Sequence, residues 1–146
     1  MKICITGSEG LVGKEAVKFF KEKSWEVVGI DNNMRSYFFG VEKDKLETPI
    51  DIRDEETINL LFKDNKFDAI IHAAAQPSHD WSQKEPLTDF DINARGTLIL
   101  LEATRKYSPD AVFVHISTDK VYGENMKHLE DNFFDDEKRR IFLLKE

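Results

Sequence analysis

The sequence has few cross-linking or anchoring residues. Its 146 residues include one cysteine, Cys4, four prolines and three tyrosines. A lone cysteine excludes an internal disulfide and stands in no metal-ligand spacing. Cys4 is therefore read as a packing residue, no metal site is expected, and an intracellular, cytoplasmic location is the default expectation. No apolar run approaches the length that spans a bilayer, so no membrane partner is expected, and Ile3–Ile5 is far too short for a secretory signal. Positive charge is also scarce: 21 Lys and Arg stand against 28 Asp and Glu, a net charge of -7. That balance argues against nucleic acid as the main partner. Internal repeats and low-complexity tracts are missing too. The length is that of one domain, and 40% hydrophobic with 34% charged residues is ordinary for a globular chain.

What the chain does have begins at its start. Ile3–Ile5 reads as a buried strand, broken at Thr6-Gly7, with glycines at 7, 10 and 13 and a helical stripe over residues 11–23 (Leu11, Val12, Ala16, Val17, Phe19, Phe20). Strand, glycine turn and helix N-terminus form a site for a dinucleotide pyrophosphate, because the first-turn N–H groups have no partner within the helix. The spacing is G-x-x-G-x-x-G, which alone also suits a plain strand-to-helix turn. A second strand, Trp25–Ile30, ends at Asp31-Asn32-Asn33. A carboxylate there suits the two hydroxyls of an adenosine ribose and repels a 2′-phosphate, which favours NAD over NADP; the alternative is a turn-forming Asp.

Residues 34–45 read as a loop and Leu46–Ile50 as a short third strand. Asp54 caps a helix through Ile58, Leu61 and Phe62. Phe67–His72 reads as a buried parallel strand opening into Ala73-Ala74-Ala75-Gln76-Pro77. Small residues there either admit a flat ring or a phosphate, or serve tight helix–sheet packing. After the polar stretch Ser78–Glu85, Pro86 starts a long helix over Leu87–Lys106, with Leu87, Phe90, Ala94, Leu98 and Leu101 as one apolar face. Asn93 within it is a site residue or a structural amide. Ala111–Ile116 is a fifth strand, ending at Ser117-Thr118-Asp119-Lys120. The pattern predicts an α/β fold: a Rossmann-like doubly wound parallel sheet, five strands in order 3-2-1-4-5, with ligands at the carboxyl ends of the strands. Residues 1–123 are expected to form the dinucleotide-binding domain. Residues 124–146 read as a divergent charged tail with a short covering helix over Asp135–Lys145.

The motifs together resemble the extended short-chain dehydrogenase/reductase family, in its nucleotide-sugar epimerase and dehydratase branch. Thr6-Gly7-x-x-Gly10-x-x-Gly13, Asp31-Asn32, Asp51-Ile52-Arg53, His72-Ala73-Ala74-Ala75, Asp91-x-Asn93-x-x-Gly96-Thr97 and Ser117–Gly123 stand in the family's register over residues 1–123. Ala75–Trp81 followed by Thr88–Asp91 is most similar to the CDP-paratose 2-epimerases, also called CDP-tyvelose epimerases. The resemblance implies NAD contacts from Gly7, Ser8, Gly10, Leu11, Val12, Asp31, Asn32, Asp51, Ile52, Ala73, Ala74, Ala75 and Asn93. It implies a nucleotide-sugar substrate beside Gln76, Ser78, His79 and Lys120. Thr118 then hydrogen-bonds the reacting sugar oxygen and Asp119 stands where related dehydratases place an acid. Lys120 replaces their glutamate, which favours epimerisation. A homodimer contact on the 87–106 helix is implied as well.

The same resemblance calls for a Tyr-x-x-x-Lys base, since unperturbed tyrosine titrates far above neutrality. Four positions after Tyr37, Tyr107 and Tyr122 stand Val41, Ala111 and Met126, so the sequence contains no such motif. The expectation is the cofactor half of an epimerase, inactive alone; the alternatives are a catalytically silent NAD-binding or regulatory module, or a non-functional remnant. Without the family's next helix, Phe90, Ala94, Leu98 and Leu101 are expected to be bare, the fifth strand to be an exposed edge, and residues 133–144 to be the candidate cover.

Overall fold

Ile3, Cys4 and Ile5 have no solvent exposure, as a strand with parallel neighbours on both sides and cover on both faces requires. They form β1 (Lys2–Thr6) of a computed structural model that describes residues 1–34 and 49–118. The chain divides into two units, residues 1–116 and 117–146, and the fold described here is that of the first. β1 pairs in parallel with β2 (Glu26–Ile30) and with β3 (Ala69–His72), and β3 pairs in parallel with β4 (Val112–His115). The register places Thr6 beside Ile30 and His72, and His72 beside His115, so the carboxyl ends of all four strands are level.

The crossovers are helical. α1 (Leu11–Glu22) joins β1 to β2, and α2 (Glu55–Asp64) precedes β3. Between β3 and β4 lie α3 (His79–Lys84), α4 (Pro86–Phe90), a π-helical turn (Asp91–Arg95) and α5 (Gly96–Tyr107). Asp54 caps α2: its Oδ1 accepts the Thr57 N–H at 3.1 Å and its Oδ2 the Thr57 hydroxyl at 2.6 Å. α2 and α5 lie together over one face of the sheet. Cys4, Ile52, Ile58, Phe62, Phe67, Ile70, Ile92, Leu100 and Ala103 form a single core there, with the Phe62 and Phe67 rings edge to face at 5.0 Å. Burial pushes the Cys4 thiol up to about 12, so it is an inert packing group at neutral pH.

Two expectations are corrected. Among the described residues the sheet has four strands in the order β2-β1-β3-β4, not five in the order 3-2-1-4-5. The expected third strand, Leu46–Ile50, is described only at Pro49 and Ile50, which are not in a strand. Pro49 has no N–H to give a ladder; Ile50 donates a single bond to the Asp31 carbonyl at 2.9 Å. The other four strands keep the expected neighbours. The helix expected over Leu87–Lys106 runs without a gap from Pro86 to Tyr107 but is not uniformly α: it contains the π-helical turn, a one-residue insertion that an apolar stripe does not reveal. The face turned to the sheet is Ile92, Gly96, Ile99, Leu100 and Ala103. The expected stripe points away from it: Leu87 is 82% exposed, Phe90 62%, Leu98 60% and Leu101 42%. In β4, Val112 and Val114 are exposed as well. The 35–45 loop and the Asp135–Lys145 helix lie outside the described residues.

Two features of this fold are open to measurement. A Cβ added at Gly13 would lie 2.0 Å from the Gly7 carbonyl oxygen and 2.9 Å from Ser8 Cα, both main-chain atoms. Gly13→Ala should therefore cost at least about 2 kcal/mol in urea unfolding. Gly10→Ala, whose Cβ would meet only the Gly7 oxygen at 3.1 Å, should cost less. Equal stability of Gly13→Ala and the native chain would contradict the close approach.

His72 is 1% exposed. Burial first, and then the neighbouring His115 imidazole, push its pKa down from 6.5 to about 4. The unfolded chain thus binds more protons between these values, so the stability due to neutral His72 is complete above pH 6.5 and is lost as pH falls toward 4. Unfolding free energy should drop by about 2 kcal/mol between pH 7.5 and pH 5, and by less in His72→Gln. The same slope in both would contradict the assignment.

Candidate functional site

The glycine turn leaves β1 at Gly7, whose φ is +67°, a conformation that favours glycine. A Cβ on Gly7 would strike the Ala74 nitrogen at 2.8 Å and the Ala73 carbonyl at 2.9 Å, so the turn lies directly against the strip that leaves β3. The Gly10 N–H donates to the Gly7 carbonyl at 2.9 Å, and α1 then starts with no side chain capping it. Leu11 and Val12, on its first turn, are exposed. Ser8 is buried and its N–H donates to the Ile30 carbonyl at 3.2 Å, tying the turn to the end of β2.

Asp31, the first residue beyond β2, completes this corner. Its Oδ2 accepts the Glu9 N–H at 3.0 Å and its Oδ1 the Asn33 N–H at 2.8 Å. The carboxylate is held by the glycine turn itself, and each oxygen, having taken one bond, retains acceptor capacity. The arrangement suits a dinucleotide: a turn without side chains, an uncapped helix N-terminus and a fixed carboxylate with spare acceptor sites.

Asn32 and Asp51 form the adjoining segment. Asn32 Nδ2 donates to Asp51 Oδ2 at 2.9 Å, and Asn32 Oδ1 accepts the Met34 N–H at 3.0 Å. Arg53 grips the same carboxylate from the other side, Nε to Oδ1 at 2.9 Å and Nη2 to Oδ2 at 2.6 Å, and its N–H adds a third bond at 2.9 Å. Burial pushes the Asp51 carboxyl up, but these Arg53 and Asn32 bonds outweigh it and hold the pKa at about 2. Asp51 is therefore ionised, and its charge is already paired within the fold. The Ile52 side chain is in the core, which leaves only its backbone for the site.

The strip beyond β3 is fixed from below. The Ala73 N–H donates to the Thr6 carbonyl at 3.2 Å and the Ala74 N–H to Thr6 Oγ1 at 3.1 Å. Asn93, in the π-helical turn, clamps the next residues: its Oδ1 accepts the Gln76 N–H at 2.9 Å while its Nδ2 donates to the Gln76 carbonyl at 3.2 Å and to Asp89 Oδ1 at 3.1 Å. The Gln76 side chain is also engaged, with Nε2 donating to Asp89 Oδ1 at 2.8 Å and to the Ser78 carbonyl at 2.9 Å. Ser78 caps α3, accepting the Trp81 N–H at 3.3 Å, and His79 is exposed on it. Of the two roles open to Asn93, the amide visibly performs the structural one.

The residues expected around the cofactor thus converge from β1, β2, the 49–54 segment, β3 and the π-helical turn. Ser117 and Thr118 are exposed and belong to the second unit, and Asp119 and Lys120 lie outside the described residues. Sequence reading gave no holding role to the residues that fix the others: Glu9, whose N–H positions Asp31; Arg53, which pairs Asp51; and Thr6, His72 and Thr97, although all but Glu9 stand in the matched motifs. The buried His72 ring lies between two hydroxyls, with Nδ1 2.7 Å from Thr6 Oγ1 and Nε2 2.8 Å from Thr97 Oγ1. Such contacts leave no periodic signal; the hint lay in the matched motifs, which contain Thr6, His72 and Thr97 without saying that they meet. Among the described residues no group of three or more His, Cys, Asp or Glu could hold a metal ion, and no helix is long and apolar enough to cross a membrane.

Comparison with known proteins agrees with this geometry. The NAD dependent epimerase/dehydratase family matches residues 3–139. CDP-paratose 2-epimerase of Salmonella typhi is 31% identical over 130 residues, covering 85% of this chain and 38% of that protein. Among solved structures, UDP-glucose 4-epimerase of Thermotoga maritima, determined with UDP-glucose, matches with a TM-score of 0.73 at 33% identity, over 86% of this chain and 40% of that one. The Thermus thermophilus UDP-glucose 4-epimerase, determined in complex with NAD, matches with a TM-score of 0.61 at 33% identity, over 73% and 34%. The chain spans about two-fifths of the length of the curated relatives it matches. A glycine turn held to a strand-end carboxylate, on a sheet shared with these enzymes, leads to one conclusion: the chain belongs to the NAD dependent epimerase/dehydratase family.

Proposed function

We propose that this chain is the NAD-binding portion of a cytoplasmic nucleotide-sugar epimerase, similar to the CDP-sugar 2-epimerases, and that it is incomplete for catalysis alone. The observation that carries the reading is the Asp31 carboxylate held by the Glu9 N–H of the glycine turn at 3.0 Å. Turn and carboxylate form one unit, with acceptor sites for two ribose hydroxyls and a charge that disfavours a 2′-phosphate. The chemistry supplied by bound NAD⁺ would be transient hydride acceptance from a sugar carbon, with return to the opposite face. Gly7, Ser8, Gly10, Leu11 and Val12 would hold the pyrophosphate, Asp31 and Asn32 the adenosine ribose, and Asp51 and Ile52 the adenine. Ala73, Ala74 and Ala75 line the path toward the reacting end, and Asn93 holds that strip in place.

Gln76, Ser78, His79 and Lys120 are assigned to the substrate side. Thr118, three residues beyond β4, is assigned to the reacting sugar oxygen and Asp119 to proton transfer; a threonine hydroxyl titrates too high to be the base. Residues 1–123 would form the dinucleotide-binding domain and residues 124–146 a charged tail. The exposed Phe90, Leu98 and Leu101 side chains support a homodimer contact on this helix. A second reading is a catalytically silent NAD-binding module.

Isothermal titration tests what these readings share. The native chain should bind NAD⁺ in preference to NADP⁺, and Asp31→Asn should narrow that preference by about tenfold through loss of a charged acceptor. Absence of binding to either nucleotide would contradict both readings, and a native preference for NADP⁺ would overturn the role of Asp31. Turnover of a CDP-sugar by the chain alone would show that a base other than Tyr-x-x-x-Lys serves.

A further inference from the structure

The bonds around His72 fix where its proton sits. The Thr97 hydroxyl donates to the Asn93 carbonyl at 2.7 Å, within the π-helical turn. A hydroxyl has one proton, so at 2.8 Å from His72 Nε2 it can only accept, and Nε2 must carry the hydrogen. In the neutral ring Nδ1 is then bare and accepts the Thr6 hydroxyl at 2.7 Å. Thr6 Oγ1, having given its proton, accepts the Ala74 N–H at 3.1 Å. Every donor and acceptor on the path from Ala74 through Thr6, His72 and Thr97 to Asn93 is used once and in one direction. The ring is 1% exposed, so water does not compete for these bonds, and its depressed pKa keeps it neutral.

Both ends of this path reach the strip beside the glycine turn. At one end is the Ala74 N–H, whose nitrogen faces Gly7 so closely that no Cβ fits between them. At the other is Asn93, whose side-chain amide grips both the N–H and the carbonyl of Gln76. We propose that His72 is a positioning residue of the cofactor site. Through Thr6 and Thr97 it sets the spacing between the glycine turn, Ala74 and the Gln76 backbone, and so the width of the cleft into which NAD fits. This rests on the NAD-binding reading above. His72 touches neither cofactor nor substrate in this role; it acts through two hydroxyls and one carbonyl.

The test uses the whole chain. In the native protein, long-range proton–nitrogen NMR of His72 should show hydrogen on Nε2 and none on Nδ1; the opposite tautomer overturns the inference without any substitution. Thr97→Val keeps the β-branched shape and removes the hydroxyl. Titrated with NAD⁺ well below its melting temperature, it should bind at least about threefold more weakly, and its Gln76 amide should exchange with solvent faster than in the native chain. Thr97→Ser, which restores the hydroxyl, should return both toward native values. A merely structural contact would lower the melting temperature of Thr97→Val while leaving the affinity of the folded protein unchanged. That result, or a Thr97→Ser as weak as Thr97→Val, overturns the inference. A native chain that fails to bind NAD⁺ overturns the proposed function itself, whereas native binding with an unaltered Thr97→Val overturns only the part given to His72.

Discussion

The rest of the site depends on the contact between the first turn of α1 and the end of β1. With no side chain at position 13, the helix backbone closes onto Gly7 and Ser8 to a distance that no Cβ could occupy. That approach directs the uncapped N-terminus of α1 at the carboxyl edge of the sheet. It also brings the Glu9 N–H to the Asp31 carboxylate, 22 residues further along the chain. On the other side, Gly7 itself lies against Ala73 and Ala74. Three strand ends are thereby gathered around a turn that presents main chain rather than side chains, the surface an anionic dinucleotide requires.

Polar groups buried beneath that surface keep its parts in register. Thr6, Ser8 and His72 are all buried, and among the described residues no buried side-chain nitrogen or oxygen lacks a partner. A network of this kind is stabilising only when complete, because a missing partner leaves a desolvated group without compensation. Asp51 obeys the same rule at the adenosine end, where two bonds from the Arg53 side chain and one from Asn32 hold it ionised. In both places the groups nearest the proposed cofactor are held by residues further in, and those inner residues set the geometry.

What could be read from the sequence was local and repetitive. Glycines at 7, 10 and 13 after a short apolar run, and a carboxylate closing the next strand, named the turn and its partner. Asp54 before Glu55-Glu56 named a helix start, and Asp54 caps that helix. Contacts between distant residues could not be read. Thr6 and His72 stand 66 residues apart and meet only because β1 and β3 are in register. The π-helical turn was invisible for another reason: Leu87, Phe90, Ala94, Leu98 and Leu101 recur at helical spacing whether or not one extra residue is inserted, and that stripe is the face turned from the core. The expected third strand, Leu46–Ile50, was read without weighing Pro49, which has no N–H to donate to a neighbour.

If Gly7–Gly13, Asp31 and the Ala73–Gln76 strip make one cofactor site, NAD⁺ should protect them together. Hydrogen exchange followed by mass spectrometry, with and without NAD⁺, decides this. Exchange should slow together in peptides covering residues 7–13, 31–33 and 73–76, with little change in β4. Slowing confined to other segments, or in only one of these three, would contradict it.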